Sequence, residues 1–325
     1  MKRRHFNVST LAIAATSLTH GPLVRAQGKP LRIIVGFPAG GSSDALARFL
    51  AEALRGKFDG PVIVENRAGA GGRIAAESLK TADADGSVML LTPNVAVTLY
   101  PHIYKRLGYD ATKDLSPVAR LATFPLVIGV GPAVPASVKS MADLMAWFKA
   151  NPASAFYGSS APGSTPHFVG QMVGKAAGVP LTHVAYKGDA PAVQDLLGGQ
   201  VPMSIHPPAA LLPHLPAGRL RVLATTGARR MERLPETPTL LESGFKIQTA
   251  DWFGTFVPGG TPNAAVQRLQ LALKEALVSR EVRDGLAKLQ LSEDFVPQPE
   301  FGRQIREEFD YWGPIVRSSG FSIDE

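Results

Sequence analysis

The chain has 325 residues, with 34 Lys and Arg against 27 Asp and Glu; 45% of its residues are hydrophobic and 19% are charged. That balance excludes a largely disordered chain and leaves enough apolar residues for two sizeable cores. The absence of cysteine excludes disulfides, thiolate nucleophiles, cysteine zinc sites and Fe–S clusters.

Residues 1–26 read as a secretory signal peptide. Lys2, Arg3 and Arg4 form a positive start, a short apolar stretch follows, and Val24-Arg25-Ala26 supplies the small residues of a cleavage site. Arg3-Arg4-His5-Phe6 also resembles a twin-arginine signal. Removing this segment takes away Lys2, Arg3, Arg4 and Arg25 and no acid, leaving 30 basic against 27 acidic residues. With no basic run of five or more, a nucleic-acid footprint is not expected. The predicted product is a soluble exported protein.

Strands and helices then alternate. Residues 31–35 are a short apolar strand, and 44–57 carry one helical face of Leu46, Phe49, Leu50, Ala53 and Leu54. Strands at 61–64 and 88–91 flank a short helix at 74–80. This rhythm predicts a mostly parallel sheet covered by helices. The long apolar run 117–130 is expected to carry the chain from one domain into another. The rhythm restarts with a capped helix from Ser140, a strand at 156–157, a helix at 166–177, a strand at 183–186, a helix at 190–197 stopped by Gly198-Gly199, and strands at 201–205 and 220–225. Residues 252–257 read as a return strand. Thr261-Pro262 is expected to cap a long helix, with Pro at the first helical position. A last helix spans roughly 300–317. The expected organisation is a first lobe of residues 27–124 plus 252–325 and a second of 125–251.

Two turns carry most of the functional information. Phe37-Pro38-Ala39-Gly40-Gly41-Ser42-Ser43-Asp44 lies between a strand and a helix. Its glycines let backbone amides approach a ligand, Ser42 or Ser43 is expected to cap the helix, and the helix start favours an anion. As an ordinary tight turn, the same segment has Asp44 paired with Arg48. The second turn, Tyr157 through Pro166, offers Ser159, Ser160, Ser164 and Thr165 from the other lobe. Two such turns facing each other beyond the carboxyl ends of strands form a cleft that can close on a small anion.

Phe37-Pro38-Ala39-Gly40-Gly41, Glu65-Asn66-Arg67-Ala68-Gly69-Ala70-Gly71-Gly72, Tyr157-Gly158-Ser159-Ser160, Tyr186-Lys187-Gly188, Leu196-Leu197-Gly198-Gly199-Gln200-Val201, Ala217-Gly218-Arg219-Leu220 and Pro258-Gly259-Gly260-Thr261-Pro262 resemble the Bug receptors. These are the periplasmic solute receptors of tripartite tricarboxylate transporters. The resemblance runs in order over nearly the whole chain after residue 26. It implies an α/β type II periplasmic binding protein fold: two lobes, each with a central mostly parallel sheet flanked by helices, and a cleft between them. It also implies a small organic anion, a carboxylate, as ligand, often held through backbone groups and waters, with membrane transporter subunits as partners. A periplasmic monomer without cofactor, metal or catalytic residues is expected. The candidate ligand-binding set is Phe37, Ala39, Gly40, Gly41, Ser42, Asp44 and Asn94 from the first lobe. The second contributes Ser159, Ser160, Gly163, Ser164, Thr165, Tyr186, Asp189, Ala190 and His206. Three positions depart from the family pattern: Arg73 where Asn is usual, Asp189 where Gly is common, and His206 at a strand end where members vary.

The enzyme alternative is an exported hydrolase in which Ser160 and His167 act on a small carboxylate or ester. No G-x-S-x-G elbow and no H-E-x-x-H motif supports it, and His183, His206 and His214 lack metal-ligand spacing. Lys187 and Arg67 are candidates for neutralising a carboxylate, and Tyr186 and Trp252 for walling a ligand.

Overall fold

The computed structural model describes residues 28–324; the expected signal peptide, residues 1–26, lies outside the described residues. Eleven strands are described and form two sheets. The first contains β1 (Leu31–Val35), β2 (Val62–Asn66), β3 (Val88–Pro93), β4 (Leu115–Pro125), β10 (Ala250–Pro258) and β11 (Ser292–Pro297), in the order β11-β4-β10-β3-β1-β2. The second contains β5 (Val127–Val130), β6 (Phe156–Ser159), β7 (Thr182–Ala185), β8 (Met203–His206) and β9 (Arg221–Thr225), in the order β7-β6-β8-β5-β9.

Both sheets are mixed rather than mostly parallel. β1 runs parallel to β2 and β3, and β6 parallel to β7 and β8. This is the half that the strand–helix rhythm announces, because parallel neighbours need a helical crossover. The other pairings are antiparallel. They arise where the chain passes between sheets or returns, with no crossover helix to keep neighbours parallel. The long run at 117–130 is accordingly two strands separated at Leu126, β4 in one sheet and β5 in the other. The return passage enters at β10. Thr226 ties the two passages together: its hydroxyl accepts from the Leu126 amide at 2.9 Å and donates to the Thr249 carbonyl at 2.6 Å.

The helices that matter for the site are α1 (Ser42–Ala53), α2 (Arg73–Glu77), α3 (Val95–Thr98), α4 (Tyr100–Ile103), α5 (Met141–Ala150), α6 (Thr165–Ala177), α7 (Asp189–Leu197) and α8 (Pro208–Leu211). After β10 come α9 (Asn263–Leu277), α10 (Arg280–Lys288) and α11 (Glu300–Ser319). α1 buries Leu46, Ala47 and Leu50 on one face, as its spacing requires. α5 opens with the full reciprocal cap between Ser140 and Asp143. α9 begins one residue later than expected, with Pro262 at its cap position and not inside the helix. The expected helix at 44–57 starts earlier, at Ser42, and ends at Ala53. One apolar cluster runs from Leu31, Ile33 and Leu50 through Phe124, Leu126 and Ile128 to Met203 and Ile205. The two sheets therefore share a continuous core across the crossing strands.

Candidate functional site

The first turn is built around Asp44. Gly40 takes φ +90°, a conformation open to glycine without strain, and Gly41 is extended at φ −78° and stands at the cap position of α1. No side chain caps this helix, so Ser42 and Ser43 lie inside its first turn rather than serving as caps. The Asp44 carboxylate reaches back instead: it accepts from the Gly40 amide at 2.9 Å, from Arg48 Nε at 3.0 Å and from Asn66 Nδ2 at 2.9 Å. Arg48, opposed by burial and helped by the Gly40 and Asn66 bonds, holds the Asp44 carboxyl down at about 2. Asp44 thus shapes the turn from behind, and its bonding capacity is used there. With no side-chain cap, the α1 start presents a partial positive charge and backbone donors toward the opposite lobe.

The second turn is capped. Ser164 accepts from the His167 amide at 3.4 Å and donates to the Ala161 carbonyl at 2.7 Å. Gly163 takes φ +72° against Ile103 and Phe321.

Between the turns lies a cavity of about 460 Å³, within the range of small-molecule sites. Phe37, Pro38, Ala39, Gly41, Ser42 and Ser43 line it from the first turn, and Ser160, Ala161, Ser164, Thr165 and Pro166 from the second. Asp189, Pro207, Pro208 and Ala209 close it on the second-sheet side, while Gly71, Pro93, Val95 and Tyr100 do so on the first. Phe124, Asp251 and Phe253 form a wall where β4 and β10 pair, and Leu289 and Leu291 complete it. An extension of about 360 Å³ passes Gly40, Gly41, Ser42, Asp189, Ala190 and His214.

Ten of the expected site residues therefore border these two spaces: Phe37, Ala39, Gly40, Gly41, Ser42, Ser160, Ser164, Thr165, Asp189 and Ala190. Six do not, and each has another engagement. Asp44 braces the turn. Asn94 is wholly enclosed and donates to Asp251 Oδ1 and Glu308 Oε1. The Ser159 hydroxyl is buried against His183 Nε2 at 2.8 Å. Gly163 shapes the second turn. The Tyr186 hydroxyl donates to Asp195. His206 is fully enclosed, with Nδ1 2.7 Å from Asp189 Oδ1 and Nε2 2.6 Å from the Ser204 hydroxyl. Two departures from the family pattern, Asp189 and His206, are thus partners, and only Asp189 reaches the cavity. Arg67 pairs with Glu65, and Lys187 is exposed outside the lining.

The hydrolytic pair does not assemble. His167 is buried, its Nδ1 accepts from the Gly163 amide at 3.1 Å, and its Nε2 lies 3.0 Å from the Gln171 amide. Its ring stacks on His183 with centroids 4.0 Å apart. Burial, with the neighbouring His183 adding to it, pushes His167 down to about 4. Neither ring nitrogen is available to Ser160.

Sequence reasoning missed Tyr100, Phe124, Asp251, Phe253, Leu289 and Leu291. These come from remote segments that meet only once the crossing strands pair. Asp251 is the notable one. It faces Phe124 across the β4–β10 register, lies beside Thr165, and accepts from Asn94 Nδ2 at 3.1 Å. Burial pushes its carboxyl up to about 7; Thr165 and Asn94 oppose that rise and the nearby Glu308 adds to it. Glu308 is itself raised by burial and accepts from Trp252 Nε1 at 2.6 Å.

Comparison with known proteins fits this geometry. The family model of the tripartite tricarboxylate transporter family receptors matches residues 46–321. BugT of Bordetella pertussis is 34% identical over 302 residues, covering 91% of this chain and 90% of its own. A Rhodopseudomonas palustris protein solved with adipate superposes with a TM-score of 0.81 at 32% identity, covering 90% of this chain and 98% of its own. MatC from Rhodopseudomonas palustris, solved with bound malate, gives 0.75 at 26% identity over 88% of this chain and 98% of its own. The chain belongs to the tripartite tricarboxylate transporter receptor family, as a Bug-type solute-binding receptor with the two-lobed α/β fold of periplasmic binding proteins.

Proposed function

We propose that this receptor is exported to the periplasm, captures a small organic carboxylate between its lobes, and hands it unchanged to a tripartite tricarboxylate-type transporter in the membrane. The lobes are residues 27–124 with 252–325, and 125–251. The observation that carries the reading is the opposition of two helix starts, α1 and α6, across one cavity, the first without a side-chain cap. Uncapped amides provide charge-assisted donors to a carboxylate without a basic side chain. Phe37, Ala39, Gly40, Gly41 and Ser42 hold the anion from one lobe, and Ser160, Ser164, Thr165, Asp189 and Ala190 meet the ligand from the other. The adipate and malate held by two solved relatives support a carboxylate as the class. A bound ligand bridging both lobes favours the closed form, which the transporter then distinguishes from the empty one.

The test is a thermal-shift screen of mono-, di- and tricarboxylates, followed by mass spectrometry of the bound compound. A ligand present at about 100 times its Kd adds about 2.7 kcal/mol of stability. The expected result is one-to-one binding and recovery of the compound intact. Turnover that disappears in Ser160→Ala would replace this reading with the hydrolytic one.

A further inference from the structure

Asp189 is an acid in a cavity read as receiving an anion, and its surroundings resolve that conflict. It is the first residue of α7, after Gly188 at φ +102°. It borders the cavity and its extension together with Gly41 and Ser42 of the α1 start. Its side chain is 40% exposed, whereas His206, at the end of β8, is fully enclosed and does not line the cavity.

The contact between the two is one link of a chain. Ser204 Oγ donates to the Gly158 carbonyl at 3.0 Å and lies 2.6 Å from His206 Nε2, and His206 Nδ1 lies 2.7 Å from Asp189 Oδ1. The residue types are those of a hydrolytic triad, but the order is inverted: the serine is at the enclosed end and the acid at the open end, so the hydroxyl meets no substrate. A hydroxyl has one hydrogen, which here goes to Gly158, and a carboxylate has none. Every bond in the chain is therefore made when both ring nitrogens of His206 donate, which is the imidazolium form.

No other charge stands in that place. Of the elements packed on β8, β5 carries no titratable side chain, and on β6 the Tyr157 hydroxyl donates to the His167 carbonyl. On α6, His167 is held by Gly163 and Gln171, and Lys175 lies in the last turn. On α7, Asp195 accepts from Tyr186. The other titratable groups on the spaces that Asp189 borders are Asp251, an acid itself, and His214 in the extension. A bare carboxylate in a partly desolvated site repels an incoming anion. Paired with an enclosed imidazolium, it presents no net charge.

We infer, on the receptor reading above, that His206 is a positioning residue for anion capture: it holds and neutralises Asp189 from the enclosed side, so that the cavity accepts a carboxylate beside this acid. Ser204 orients the ring through Nε2.

A rescue experiment separates this from a packing role. The full receptor is titrated by calorimetry at about pH 6, where histidine side chains commonly carry charge. The panel holds mono-, di- and tricarboxylates, adipate and malate among them, and the acid that binds wild type tightest is the probe throughout. His206→Asn keeps an amide donor near the place of Nδ1 but removes the positive charge. It is expected to bind the probe about tenfold or more weaker. Adding Asp189→Asn to it is expected to recover about fivefold or more over the single variant, because the unopposed acid is gone. Equal weakening in the single and double variants, as lost packing predicts, overturns the inference and leaves the receptor reading standing. Normal binding by His206→Asn does the same, as does a loss found in His214→Asn instead. If His206→Asn gives no cooperative melting curve, Asp189→Asn alone decides. With His206 left unopposed it is expected to bind about threefold or more tighter than wild type, and binding no tighter than wild type overturns the inference. If no acid of the panel binds wild type, the receptor reading falls and takes the inference with it.

Discussion

His167 and Asp251 are buried and His183 is half-buried; these titratable groups have opposite signs and give the protein a readable pH signature. Burial lowers both histidines to about 4, His183 through burial and His167 through burial and then its neighbour, while an unfolded histidine titrates near about 6.5. Between those values the unfolded chain takes up protons that the folded one refuses, so their contribution to stability is lost as pH falls from about 6.5 toward about 4. Asp251 runs the other way. Its folded carboxyl keeps its proton to about 7, whereas unfolded Asp loses it near about 3.9, so its presence lowers stability as pH rises across that window. His167→Gln should therefore lose less stability than wild type between pH 7.5 and pH 5, by about 1–2 kcal/mol. Asp251→Asn should lose more. Urea denaturation at the two pH values measures both, and equal pH differences in all three proteins would contradict the assignment.

At the scale of elements, the two turns do different work with the same residue types. α6 is capped by Ser164, whereas α1 has a glycine at the cap position and an acid, Asp44, gripping the turn from within. Gly40→Ala meets no neighbour within 4 Å but would force a side chain onto φ +90°. It should destabilise by about 1–2 kcal/mol in urea unfolding without filling the cavity; an unchanged midpoint would mean the turn does not hold that conformation in solution. Much of this was legible. Glycine and serine clusters between an apolar run and a helical face announce such turns because few other residues suit them. The parallel strands were legible for a related reason, since burial on both faces leaves unbroken apolar runs such as Ile33–Val35 and Met89–Leu91. α10 and β11 were not. α10 buries only Val282, Gly285 and Leu286 among charged residues, and β11 is an edge strand with exposed Ser292, Glu293 and Pro297.

For the whole molecule, the site is a product of chain crossing, which is why its walls could not be found in advance. Phe124 and Asp251 are 127 positions apart in sequence yet pair where β4 and β10 approach the second sheet. The crossing peptides are bound to each other through Thr226, and the core runs continuously beneath them. That arrangement sets the base of the cavity, with the α1 and α6 turns lining it from either side. The central claim is that backbone amides at the α1 start hold the carboxylate. Gly41 isolates it: its backbone is extended, and an added Cβ would meet nothing closer than the Pro38 carbonyl at 3.7 Å. Gly41→Val therefore covers the amides without straining the fold. The decisive measurement is calorimetric titration of the carboxylate found by screening into wild type, Gly41→Val, Arg67→Ala and Lys187→Ala. A loss of about tenfold or more in Gly41→Val, with near-normal affinity in the other two, is the expected result. Normal binding by Gly41→Val together with its abolition in Arg67→Ala or Lys187→Ala would contradict the account.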